Sequence, residues 1–153
     1  MAPFVAMSCI KSEDATEITP ASATNASTCK LTDAEEVGPF PLYEKRDASI
    51  THTDITEGKT GMPLSVALTI KNTNNNCAVV QNATVVIWHC DKDGYYSGYA
   101  NSGYLGNQDN KSKTFCRGLV QTDAMGVARF QTIYPGWYQG RATHIHAQIY
   151  VGG

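Results

Sequence analysis

His144 and His146 stand one residue apart near the end of the sequence. Side chains alternate along a strand, so both imidazoles leave the same face, with their Cα atoms about 6–7 Å apart. Two imidazoles so placed can hold one metal ion without help from a helix. A turn at Pro135-Gly136 delivers a phenol, Tyr138, just upstream, and Tyr95, Tyr96 and Tyr99 crowd together farther back. A bare His-x-His also fits an edge strand carrying two incidental histidines. Each tyrosine, taken alone, fits a residue that covers the end of a sheet. The metal reading therefore depends on the rest of the chain.

The elements that must position these groups are strands. Residues 64–70 alternate apolar with small or polar side chains, which predicts a half-buried strand. Residues 83–90 form a β-branched run that predicts a central strand, and 127–133 and 142–151 supply two more. Residues 36–41 (Glu-Val-Gly-Pro-Phe-Pro) predict an extended lead-in, because each residue before a proline is pushed out of the helical region. Between the strands at 83–90 and 127–133, residues 91–113 run for over 20 positions without a clear element. So long a segment in a compact domain points to a functional loop. Strands with turns between them and no convincing helix predict an all-β fold, an antiparallel β-sandwich with long functional loops.

Composition narrows the function classes. The chain has 153 residues, 42% apolar and 17% charged, with a net charge of -2. That length suits one domain with a real core. No basic surplus points to nucleic acid, and no run of 18 apolar residues predicts a membrane-spanning helix. The five cysteines, Cys9, Cys29, Cys77, Cys90 and Cys116, include no Cys-x-x-Cys pair, which argues against a structural zinc site. The last four suit two disulfides in an oxidising compartment. Three connectivities are open, with Cys77–Cys90 slightly favoured because the pair flanks a single strand.

Residues 1–28 read as a leader remnant and tether, and 29–153 as the domain. Met1 to Ser8 is apolar and ends in small residues before Cys9, like the tail of a bacterial lipoprotein signal, although the basic region is missing; an ordinary N-terminus is the alternative. This predicts an exported protein, periplasmic, extracellular or lipid-anchored through Cys9. Residues 11–28 are rich in Ser, Thr, Ala and acidic residues, as a flexible tether would be.

Four pieces in order carry a resemblance. They are Gly38-Pro39-Phe40; Trp88-His89-Cys90-Asp91-x-x-Gly94-x-Tyr96-Ser97; Arg117-Gly118 with Thr122-Asp123-x-x-Gly126; and Pro135-Gly136-x-Tyr138-x-x-Arg141-x-x-His144-Ile145-His146. Over about residues 29–151 the chain resembles the intradiol ring-cleavage dioxygenases, and its Trp-His-Cys-Asp form looks most like their exported branch. The resemblance implies a non-haem Fe(III) enzyme that cleaves catechol-type rings between the two hydroxyl-bearing carbons with O2, giving muconate-type diacids. It implies Tyr96, Tyr138, His144 and His146 as iron ligands, and Arg141 and Tyr138 as the catalytic groups beside the substrate.

That ligand set is chemically coherent. A phenol has a pKa of about 10, so holding it as phenolate needs a strongly polarising cation. Two phenolates, one hydroxide and a trivalent ion sum to zero charge, which allows burial without a counter-ion. One detail resists: Arg141 has the opposite strand parity to Tyr138, His144 and His146. A bulge or turn at Gly140 would restore its aim; otherwise Arg141 is a surface residue or a salt-bridge partner.

Other polar residues read as structural. His89 in its strand is a structural histidine and His52 a solvated one. Gln148 shares parity with the histidine pair and is a candidate to support them. Asn25, Asn82 and Asn110 begin Asn-x-Ser/Thr sequons. Two features depart from the family: Val37 precedes Gly38-Pro39 where an acidic residue is common, and His146 is followed by only seven residues. The latter predicts missing C-terminal strand(s), an exposed edge beside the histidines, and weaker iron binding or a homo-oligomer that covers the edge. The competing reading is a non-catalytic cell-surface β-sandwich binding module that retains the motif, and metal content separates the two. A zinc hydrolase built on His144 and His146 lacks a plausible third ligand.

Overall fold

The computed structural model describes residues 29–42, 47–103 and 105–152. The expected leader and tether, with Cys9 and Asn25, lie outside the described residues. Those residues contain nine strands, all paired antiparallel, and no helix. β1 (Pro63–Thr69) pairs along its whole length with β8 (Val127–Ile133). β4 (Thr84–Trp88) lies between β7 (Arg117–Gln121) and β9 (His146–Tyr150). Two small hairpins complete the set: β2 (Lys71–Asn72) with β3 (Ala78–Val79), and β5 (Ala100–Gly103) with β6 (Gly106–Asp109).

The alternation in β1 places Val66 and Leu68 inward, against Ala128 and Phe130 of β8 and against Val85 and Ile87 of β4. This cluster is the core between the two sheets, as a sandwich requires. The β-branched run of β4 is covered on both faces. Val85 and Ile87 turn to that core, whereas Val86 and Trp88 turn to the other face, where Phe40, Tyr96 and Tyr138 pack. One strand therefore serves the core with one face and the histidine–tyrosine region with the other.

Two expectations are corrected, and one strand carried no expectation. The last strand is shorter than 142–151: β9 begins at His146, so His144 stands in the bend before it. The segment 91–113 is not free of structure, because the β5–β6 hairpin sits inside it. β7 gives no alternation signal, since Gly118 interrupts it; an added Cβ there would meet Ile55 Cγ2 at 2.4 Å, so the glycine is a packing requirement.

The disulfide also differs. Cys29 joins Cys77, while Cys90 and Cys116 are free and buried. Cys77 is taken by Cys29, and Cys90 instead packs with Trp88 and Tyr96 beyond the end of β4. Burial pushes both free thiols up to about 12, so neither is a ready nucleophile. The bond that does form ties the start of the lead-in to the turn after β2.

Candidate metal centre and active site

His146 opens β9 directly opposite Trp88 of β4, and the two rings stack with centroids 4.8 Å apart at 9°. His144 approaches from the preceding bend, its ring 4.7 Å from that of His146 at 89°. The Nδ1 of His144 lies 2.5 Å from the carbonyl oxygen of Ala142. A carbonyl only accepts, so Nδ1 carries a proton and Nε2 is the ring nitrogen turned towards the site. That Nε2 lies 3.1 Å from His146 Nε2 and 3.3 Å from the Tyr96 hydroxyl.

The two tyrosines come from separate turns. Tyr96 ends the turn that follows β4 and is fully buried, with Phe40 stacked on it at 4.4 Å. Tyr138 follows the Pro135-Gly136 turn; its ring stands edge-on to both Tyr96 and His144, with centroids 5.8 Å from each. Its hydroxyl is buried without a hydrogen-bond partner. A buried phenol oxygen left unpaired beside three converging donors is costly unless something else claims its lone pairs.

Burial, and then the neighbouring Tyr138 phenol, push Tyr96 well above the ordinary phenol range. Burial and then the proximity of His144 hold His146 down to about 4, so its ring is neutral at pH 7 and able to ligate. Two donors each about 2.1 Å from a shared centre at a right angle lie about 3 Å apart, and the histidine nitrogens match that spacing. No three His, Cys, Asp or Glu side chains converge among the described residues. Further protein ligands here must be phenols, and phenolates suit a hard, highly charged ion rather than zinc. The four residues fit ferric iron.

The parity difficulty with Arg141 is resolved by a turn. Gln139 and Gly140 form it, Gly140 takes φ +83°, and the Arg141 N–H donates to Tyr138 O at 3.1 Å. Arg141 thereby reaches the cleft of about 550 Å³ that His144 and His146 line. The nearby Tyr138 phenol and then the Glu36 carboxylate favour its charged form, although no aligned hydrogen bond reaches Tyr138 Oη. Its ion pair is with Glu36, at 3.2 Å. On the other side of Tyr138 a second cleft, about 690 Å³, is lined by Lys92, Asp93, Ser102, Gly103 and Trp137.

Sequence reasoning gave no role to several neighbours. Gly38 lies over His146: an added Cβ would meet Cε1 at 2.9 Å and Nε2 at 3.2 Å. Arg117, buried, donates to the Phe40 carbonyl at 2.8 Å and to the Ser97 carbonyl at 2.7 Å, binding the lead-in to the residue after Tyr96. The four quoted motif pieces held these residues, but nothing in their types announced the roles. His89 is structural as expected, linking the Cys90 carbonyl (2.7 Å) to the Thr132 hydroxyl (2.8 Å). His52 is not simply solvated: it is half-buried, 3.7 Å from Glu57. Gln148 accepts from Tyr150 at 2.9 Å and bonds to neither histidine. Tyr95 and Tyr99 anchor backbone, donating to Gly106 O and Pro41 O. Asn110 is buried, unlike Asn82, so its sequon is not open to a glycan.

A family model described as "Dioxygenase" matches residues 39–151, which takes in all four donors. The chain belongs to the intradiol ring-cleavage dioxygenase family. The chain is 31% identical over 105 residues to a hydroxyquinol 1,2-dioxygenase of Corynebacterium glutamicum, covering 68% of itself and 31% of that protein. An intradiol ring-cleavage dioxygenase structure from Tetranychus urticae superposes with a TM-score of 0.69 and 32% identity, covering 82% of this chain and 61% of that one. The dioxygenase domain of a dioxygenase–carbohydrate-binding fusion from Streptomyces sp. SirexAA-E gives 0.64 at 26% identity, with 81% and 69% covered. The chain thus spans about a third of the bacterial relative and about three-fifths of the mite enzyme.

Proposed function

We propose that this chain carries the ferric site of an intradiol dioxygenase, with Tyr96, Tyr138, His144 and His146 as ligands and a catechol-type ring as substrate. The observation that carries the reading is the convergence of Tyr96 Oη (3.3 Å) and His146 Nε2 (3.1 Å) on His144 Nε2, beside the partnerless hydroxyl of Tyr138. Ferric iron, when bound, supplies the electron-withdrawing centre that makes a chelated catechol reactive towards O2.

The chain's own residues do the rest. The hydrogen bond to Ala142 O occupies Nδ1 of His144 and turns its Nε2 towards the site, and burial keeps His146 neutral. Tyr96, locked under Phe40, would be the phenol held in a fixed place on a bound ion. Tyr138 Oη has no hydrogen-bond partner, so it would be the phenol oxygen free to accept a proton from an incoming hydroxyl. Arg141, at the rim of the cleft that holds both histidines, places a positive charge beside the substrate oxygens. Catalysis inside an exported protein belongs to the same proposal; the Cys29–Cys77 disulfide supports an oxidising compartment, with Cys9 as the point for a lipid anchor.

The test is a visible absorption spectrum of the iron-loaded protein. Tyrosinate bound to Fe(III) gives a broad charge-transfer band. The band is expected to shift or vanish in Tyr96→Phe and Tyr138→Phe, and iron content is expected to collapse in His144→Ala. An unchanged spectrum in all three variants rules out the ligand assignment.

A further inference from the structure

Asp91 is almost fully buried, at 3% exposure, and is not among the proposed ligands, although its neighbours Lys92 and Asp93 line the second cleft. Every hydrogen-bonding atom it has is engaged. Oδ1 accepts from the backbone N–H groups of Asp93 and Tyr95, both at 3.0 Å. Oδ2 accepts from Lys59 Nζ at 2.7 Å. Its own N–H donates to Tyr95 O at 2.8 Å, and its carbonyl accepts from Gly94 at 3.1 Å and from Gly136 at 3.0 Å.

Those partners fall in the two segments that carry the phenols. The carboxylate and the Asp91 N–H close the 91–95 turn, and the next residue is Tyr96. The carbonyl docks Gly136, and two residues on is Tyr138. The segments meet at van der Waals limits. A Cβ on Gly136 would sit 2.2 Å from Lys92 O, and one on Gly94 would sit 2.7 Å from Trp137 O. Backbone packed this closely leaves no slack between the turns. Lys59 is itself held, its ammonium 3.8 Å from the centre of the Phe115 ring, so the charge opposite Asp91 is fixed too.

We propose that Asp91 is the positioning residue that sets the distance between the two phenol ligands, its side chain shaping the turn of Tyr96 and its carbonyl docking the turn of Tyr138. The inference rests on the ligand set proposed above. A bidentate carboxylate that orders a turn and is charge-matched on its far oxygen acts on ligands it never touches. Groups that orient metal ligands in this way typically carry about 10–100-fold in metal affinity.

The test compares wild-type, Asp91→Ala, Asp91→Glu and the double variant Asp91→Asn with Lys59→Met. For each, Fe(III) affinity is measured by chelator competition, the charge-transfer band is recorded, and the metal-free protein is melted. Asp91→Ala is expected to bind iron at least about tenfold more weakly and to shift the band at temperatures where the metal-free protein is still folded. Asp91→Glu keeps the charge but moves it by one methylene, and is expected to show the same two effects; it decides the matter if Asp91→Ala does not fold. The double variant keeps an Oδ1 acceptor and removes the half-buried ammonium, and is expected to recover the wild-type band. Wild-type affinity and an unmoved band in folded Asp91→Ala or Asp91→Glu overturn the role, even if the melting point falls. Absence of any band in wild-type counts instead against the ligand set itself.

Discussion

At the scale of single residues, the site is made by groups that hold other groups still. Gly38 shows how tight this is. Its φ of +71° lies in the left-handed region, and its missing Cβ leaves room for the His146 ring. Gly38→Ala is expected to push that ring aside and lower iron affinity by about tenfold or more, an effect of the size seen when ligand orientation is disturbed. Isothermal or chelator-competition measurements would read it, and wild-type affinity would show that the strap can yield. His89 gives a pH prediction. Burial holds its pKa below the ordinary 6.5, so below that pH the unfolded chain binds more protons than the folded one. Stability is therefore full above about pH 6.5 and falls as the pH drops. His146 acts in the same direction, down to about 4. Urea unfolding of metal-free protein across this window should show the decline, and His89→Asn should make it shallower. The histidine pair and Tyr138 could be singled out from residue type and spacing, and the fold brings them together. Asp91, Arg117 and Gly38 were not, because they act through backbone contacts that spacing does not encode.

At the scale of elements, alternation in 64–70 and 127–133 gave β1 and β8 almost to the residue, because each has one face in the core and one in solvent. β7 and the β5–β6 hairpin escaped notice. β7 is broken by a glycine needed for packing, and all four β6 residues are exposed, so no buried face marks it. The disulfide could not be read from spacing, since it joins residues 48 positions apart that only the fold brings together. It fastens the start of the lead-in whose Phe40 roofs Tyr96. Replacing Cys77 with Ser is expected to cost about 2–4 kcal/mol, read from urea midpoints. An equal stability with and without the bond would show that Arg117 and the aromatic stack already hold the lead-in.

At the scale of the molecule, a sandwich was legible from the number and spacing of strands, whereas the order β7-β4-β9 was not. That order places Trp88 opposite His146 and sets one face of β4 against the core and the other against the tyrosine–histidine cluster. Long-range register of this kind depends on which faces must be buried together, and no local pattern carries it. The architecture makes the donor cluster an extension of the core, rigid on the side of β4 and open towards Arg141. Its purpose, on this account, is ring opening between two hydroxyl-bearing carbons. The most direct measurement is mass spectrometry of the product after the iron-loaded protein is incubated with catechol under 18O2. The account predicts a muconate-type diacid carrying both labelled oxygen atoms. A ring-opened semialdehyde from cleavage beside the hydroxyl pair, or unchanged catechol from protein that holds its iron, would contradict it.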